Sequence, residues 1–236
     1  MADDQLENRT IDTGAAVGPQ ISRLLHNSIV TGALLPGARI SETEIATKYG
    51  ISRQPVREAF IKLAEEGLLE VRPQRGTYVR KISVTAVMDA RFVREAIEAD
   101  VVRLLAQAPD PVLERELKRQ IEAQRQIIAT DVQGFVPLDD RFHRTLAEAA
   151  GKPFAWTVID GMKSQMDRVR QLSTLRLQRD TLIAHHTAIA EGIGAGDADR
   201  AEAAMRTHLR EILKDLPVIR QSLPEYFDET VGIQTH

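Results

Sequence analysis

Asp139 and His143 sit four residues apart in the run LDDRFHRTL, so on a helix both side chains project from one face. His186 and His208 each fall on an apolar stripe with helical spacing further along the chain. One carboxylate oxygen and three imidazole nitrogens make a donor set suited to a borderline or hard divalent cation. Zinc is the first expectation, with nickel and manganese also compatible. The chain has no cysteine, which excludes thiolate ligation and a disulfide framework. A lone buried histidine is more often a hydrogen-bonded core residue than a ligand, but three of them with an aspartate at i−4 argue for a site. His185 competes with His186. Position 186 is preferred because Leu182, Ile189 and Ile193 lie at −4, +3 and +7 from it. His185 then falls at the surface or behind the ligands. Asp140 is out of register with His143 and reads as a helix-start charge. His26 and His236 have no supporting neighbours and receive no role.

A second set of residues has different chemistry. Ser52 is a plausible N-cap for a helix over SRQPVREAFIKLAEEG, which places Arg53, Gln54 and Arg57 in its first turns. Arginine can bond guanine twice, and glutamine can do the same to adenine. Arg72 and Arg75 flank the tip of the hairpin that follows and can grip phosphate or enter a minor groove. Gly76, lacking a Cβ, lets backbone approach closely. Net charge is −3, a poor overall sign for a nucleic-acid binder. From Lys48 to Lys81, however, eight Lys or Arg face four Glu, so positive charge is concentrated where a DNA surface needs it.

The elements that must carry these residues are legible from punctuation and periodicity. Residues 1–18 read as a mobile arm. From Pro19 a helix with Ile21, Leu24, Leu25 and Ile29 on one side runs to about Gly32, and LLPGARI follows as a turn. Ser41 and Glu44 have capping-box spacing and open a short helix ending at Gly50. The helix from Ser52 closes at Gly67, and LLEV and TYVRKI form a hairpin with its tip around Pro73–Gly76. This order predicts a winged helix–turn–helix domain over 19–80 that reads double-stranded DNA, with a hinge at 81–84. Helices follow over 84–107, 110–130, 134–150, 153–177, 178–194 and 197–216, an all-α antiparallel bundle of six helices, or seven with a further break. The stripe Phe135, Leu138, Phe142, Leu146, Ala149 predicts the buried face of the third. The domain 85–216 is expected to bind an effector and to dimerise, and 217–236 to form a polar, poorly ordered tail.

The run ISETEIATKYGISRQPVREAFIKLAEEGLLEVRPQRGTYV resembles the N-terminal domain of GntR-type bacterial transcription regulators. The blocks DDRFHRTLAEAAGKP and HTAIAEGIGAGDADRAEAAMRTHL resemble the FCD effector domain of the FadR branch, and six effector helices would resemble its VanR-like subgroup. The resemblance spans about residues 19–216 and assigns Asp139, His143, His186 and His208 as metal ligands in that order. It implies small organic acids or related metabolites as effectors, helped by Arg94 in VREAIE. Arg94 can also simply pair with Glu98 at i+4, and Arg168 and Arg170 are weaker effector candidates.

The expected protein is therefore a homodimeric repressor, released from a palindromic operator by a carboxylate effector. An acidic start and the lack of any bilayer-length apolar run predict a cytoplasmic location without a membrane partner. A metalloenzyme shares the donor set, but no separate acid–base pair or nucleophile motif accompanies it. A DNA regulator with a purely structural metal is the other alternative.

Overall fold

A computed structural model describes residues 10–12, 14–130, 134–176 and 180–229. The expected arm (1–18), tail (217–236) and break at 177/178 lie partly outside these residues, as does His236. The chain divides into two compact units. One runs up to Val84 and takes in the segment from Leu223 onward, and the other spans Thr85–Ser222.

The first unit begins with α1 (Val17–Val30), whose Ile21, Leu24, Leu25 and Ile29 are buried at 3–4 spacing. Asp12 and Gln20 exchange two hydrogen bonds, at 3.0 and 2.8 Å, so the residues before α1 lean back on it. After α2 (Glu42–Lys48) and α3 (Arg53–Glu65) come the wing strands. The Ser41 hydroxyl accepts from the Glu44 amide, at 3.5 Å, as the capping spacing predicts. Ser52 occupies the N-cap position of α3 in extended geometry, but its side chain makes no capping bond. Strands β2 (Leu69–Arg72) and β3 (Gly76–Val79) pair antiparallel in the register Arg72↔Gly76. The expected turn LLPGARI contains a third strand, β1 (Arg39–Ile40), which pairs with β3 and gives the sheet order β1-β3-β2. Leu24, Leu25, Val56, Phe60, Leu63 and Val79 meet in one core.

That core unit is extended by a late segment. A 3-10 turn at Pro224–Tyr226 presents Phe227, 2% exposed, in a parallel bridge with Ile82. The Ile82 amide donates to Tyr226 O at 2.8 Å, and the Asp228 amide donates to Ile82 O at 3.1 Å. A polar tail was expected here. Phe227 instead supplies the apolar area that holds the segment down.

The second unit is all helical: α4 (Val84–Gln107), α5 (Pro111–Thr130), α6 (Phe135–Ala149), α7 (Pro153–Met162), α8 (Ser164–Arg176), α9 (Asp180–Gly194), α10 (Ala198–Arg210) and α11 (Ile212–Ser222). Two expected spans are each divided. The stretch 153–177 breaks at Lys163, beside the weak helix former Gly161. The stretch from 197 breaks at Glu211 and continues through Pro217 to Ser222. Burial of Ile212, Leu216 and Ile219 at 4–3 spacing keeps α11 helical despite the missing proline N–H.

The buried face of α6 is rotated from the expected stripe. Phe135, Val136, Asp139, Phe142, His143, Leu146 and Ala147 face inward, Leu138 is half-buried and Ala149 is exposed. Two polar residues therefore hold places that an apolar pattern assigns elsewhere. Helices α9 and α10 form a tight hairpin. A Cβ on Gly192 would lie 2.8 Å from both the Cα and N of Ala201, so only glycine permits this approach.

Candidate metal centre

Asp139 and His143 from α6, His186 from α9 and His208 from α10 converge in the core of the helical unit. All four are buried, and one donor atom from each lies within 4.8 Å of the others. His143 Nε2 is 3.1 Å and His186 Nε2 3.4 Å from His208 Nε2. Asp139 Oδ2 is 3.6 Å from His143 Nε2, and Asp139 Oδ1 is 3.3 Å from His186 Nε2. Donors about 2.0–2.1 Å from one ion stand roughly 2.9 Å apart on cis octahedral edges and roughly 3.3 Å apart on tetrahedral ones. The observed spacings fit such a cation, which the four donors could hold together.

The protonation states suit that role. Burial first, then the imidazoles of His186 and His143, push His208 well below the ordinary histidine range. Burial likewise lowers His186, against an opposing pull from Asp139. Burial alone would raise Asp139, but the charges of Arg170 and His143 and a hydrogen bond from His186 outweigh it and hold the carboxyl well below its usual value. His186 and His208 thus favour the neutral imidazole and Asp139 the ionised carboxylate, the forms that ligate metal.

The rear nitrogens are held by partners that sequence reading missed. His143 Nδ1 pairs with Glu98 Oε2, and His186 Nδ1 lies 2.6 Å from Gln124 Oε1. Gln124 is itself fixed by donating to Leu138 O at 3.1 Å. Such partners set tautomer and ring orientation. His208 Nδ1 is buried without a partner among the described residues. His185, the rejected alternative, is half-buried and meets His208 edge-on at 5.9 Å between centroids.

Asp140 is not a helix-start charge. It lies in mid-α6 and pairs with Lys163 at 2.7 Å and Arg170 at 3.0 Å. Arg170 also reaches Asp139 and Asp167, while Lys163 reaches Asp167. A buried ion network thereby links α6 to α8. Its signal in the sequence was weak, because K and R at these positions look like solvated charges.

A cavity of about 50 Å³ opens beside the cluster, lined among others by Arg94, Asp139, Arg170, Ser173, His208 and Asp215. Both readings of Arg94 meet here. Its Nε donates to Glu98 Oε1 at 2.7 Å, and its Nη2 is buried without a partner among the described residues. Arg168 is buried and is not among the lining residues.

In the first unit, Arg53, Gln54 and Arg57 are exposed on the opening turns of α3. Arg53 Nη2 lies 3.3 Å from Glu42 and Gln54 donates to Glu58 at 3.0 Å. Exposed pairs of this kind are worth little and are readily exchanged for another partner. In the wing, Arg72 bonds Glu70 at 3.0 Å and stacks 4.6 Å above the Tyr78 ring. The Tyr78 hydroxyl donates to Arg75 O at 3.0 Å and pins the turn. Gly76 has φ +106° and sits against the Arg39 side chain, so a side chain here would be strained.

A winged helix–turn–helix and an all-α unit with a buried His₃Asp cluster in one chain define a class of DNA-binding regulator. Residues 18–79 match the bacterial regulatory proteins of the gntR family and residues 89–211 match the FCD domain. The chain belongs to the GntR family and is a transcription regulator, not an enzyme. It is 40% identical over 215 residues to the HTH-type transcriptional repressor RspR of Escherichia coli K12, covering 90% of this chain and 94% of RspR. In fold it is similar to E. coli McbR/YncC (TM-score 0.72, 19% identity, 88% of this chain and 99% of that one). It is also similar to a putative GntR regulator from Rhodococcus sp. RHA1 (TM-score 0.71, 23% identity, 85% and 97%).

Proposed function

We propose that the chain is a homodimeric, metal-containing repressor whose winged units bind the half-sites of a palindromic operator and leave it when a small carboxylate enters the helical unit. The observation that carries this reading is the cavity beside the four-ligand cluster, with the unpartnered Arg94 Nη2 on its wall. A divalent metal held by Asp139, His143, His186 and His208 supplies a Lewis-acid seat for a carboxylate. Zinc is the first choice because three imidazoles and one carboxylate suit a borderline ion, with nickel and manganese as alternatives. Arg94 adds a buried N–H donor, Nη2, that its pairing with Glu98 leaves available.

Operator binding falls to Arg53, Gln54 and Arg57 at base edges, with Arg72, Arg75 and Gly76 of the wing at the backbone. RspR is named a repressor, which supports the sign of the response. Large apolar side chains left exposed on the helical unit, such as Phe92 and Phe154, support a second copy as partner. No described helix is long and apolar enough to cross a membrane, and an operator places the protein in the cytoplasm.

Effector and operator must oppose each other reciprocally, and emptying a nearly full operator takes about 5 kcal/mol of differential affinity. Fluorescence anisotropy with operator DNA, zinc-loaded protein and a carboxylate library tests the whole reading. One library member should release DNA, and the double variant Arg53→Ala, Arg57→Ala should lose sequence-specific binding at physiological salt. A metal that stabilises the fold while no carboxylate has any effect would make the metal structural and overturn the sensing role.

A further inference from the structure

The cavity that adjoins the metal cluster has a second chemical character, set by α8 and α11. Ser173, 8% exposed, donates its hydroxyl to Asp215 Oδ2, and both residues line the same space as Arg94 and His208. Asp215 draws its side-chain hydrogen bond from this uncharged donor. The adjacent cation Lys214 is committed to Glu211 at 2.7 Å, and no cation pairs with Asp215 among the described residues. Asp139, by contrast, lies against Arg170. A half-buried carboxylate without a cation is an expensive thing to keep beside a ligand cavity unless the ligand brings it donors.

We infer that the effector is a compact carboxylate carrying hydrogen-bond donors, hydroxyl or ammonium, away from its carboxyl group, and that Ser173 and Asp215 select it. Arg94 and the metal centre take the carboxylate end, so this inference rests on the carboxylate reading above. Ser173 accepts through its free lone pairs while donating to Asp215, and the remaining Asp215 oxygen takes a ligand donor. A simple fatty acid of the same length leaves that oxygen bare. The cavity is small, about 50 Å³, which suits a compact acid.

The test is isothermal titration of the full-length, zinc-loaded protein with propionate, glycerate and β-alanine, three acids of equal carbon number. A hydrogen bond to a charged group predicts that glycerate or β-alanine binds at least about tenfold more tightly than propionate. Whichever of the two shows the preference identifies the donor as hydroxyl or ammonium. Asp215→Asn should bring the ratio to within about threefold, and Ser173→Ala, a milder change, should lower it in the same direction. Equal binding of all three acids, or a preference that survives both substitutions, overturns the assignment of Ser173 and Asp215 while leaving the carboxylate reading standing. Failure of all three to bind at millimolar concentration overturns the inference, and the carboxylate reading falls with it only if the library of the anisotropy experiment also contains no binder.

Discussion

Replacing Glu98 by glutamine tests the support behind the metal cluster. The Glu98 carboxylate is 4% exposed, accepts from Arg94 Nε at 2.7 Å and pairs with His143 Nδ1. Burial would raise its pKa, but Arg94 first and His143 second pull it down to about 2. It is therefore ionised at neutral pH and neutralises a guanidinium that is 1% exposed. Glutamine keeps the shape and removes the charge. Its one carbonyl oxygen cannot replace two carboxylate oxygens serving two donors. Leaving a buried charge uncompensated costs about 3–5 kcal/mol of stability. Loss of the carboxylate behind a ligating histidine costs about 10–100-fold in metal affinity, or roughly 1.4–2.7 kcal/mol. Urea unfolding in the presence of a chelator reads the first quantity, and competition with a zinc-sensitive dye at pH 7 reads the second. A Glu98→Gln protein with a wild-type urea midpoint and zinc affinity within twofold of wild type would refute the reasoning.

Metal-free protein should lose stability as pH falls from about 6.5. His208 and His186 have lowered pKa values in the fold, so the unfolded chain binds more protons below the ordinary histidine value, and each contributes a slope of up to about 1.4 kcal/mol per pH unit. Urea midpoints at pH 7.5 and 5.5 check this, and equal midpoints would count against it. Gly192→Ala drives a methyl group into the Ala201 backbone and should cost about 1–3 kcal/mol. Zinc affinity should fall with it, since α9 and α10 carry two of the proposed ligands, and the same dye competition measures that. Phe227→Ala removes a buried ring and should destabilise the winged unit by about 3 kcal/mol. Hydrogen exchange at the Ile82 amide should accelerate while the α9 and α10 amides keep their protection.

The four converging side chains were legible because each sits on the inward face of a helix, and a 3.6-residue period fixes that face. His186 could be separated from His185 by one step of register. Their supporters were not legible. Gln124 lies in the polar run RQIEAQRQ, where only tertiary packing makes one glutamine 0% exposed. Glu98 offered the sequence a local partner in Arg94, and the fold gives it His143 as well. Strand β1 escaped because two residues after Pro-Gly carry no alternation to detect. The α6 stripe was misread by weighting Leu138 and Ala149 as core, when Asp139 and His143 take that side of the helix. The polar tail was expected to begin at Pro217, yet an apolar face on α11 outweighs one lost hydrogen bond.

The bridge between Ile82 and Phe227 bears on how this regulator can be re-engineered. The chain leaves the DNA-reading unit near residue 84 and comes back to it near residue 223. A chimera that borrows the reader by splicing after the wing would strand the Ile82 amide and carbonyl and discard the aromatic plug beside them. A working graft has to carry both passages, with the helical unit treated as an insertion inside the reader rather than as an appendage to it.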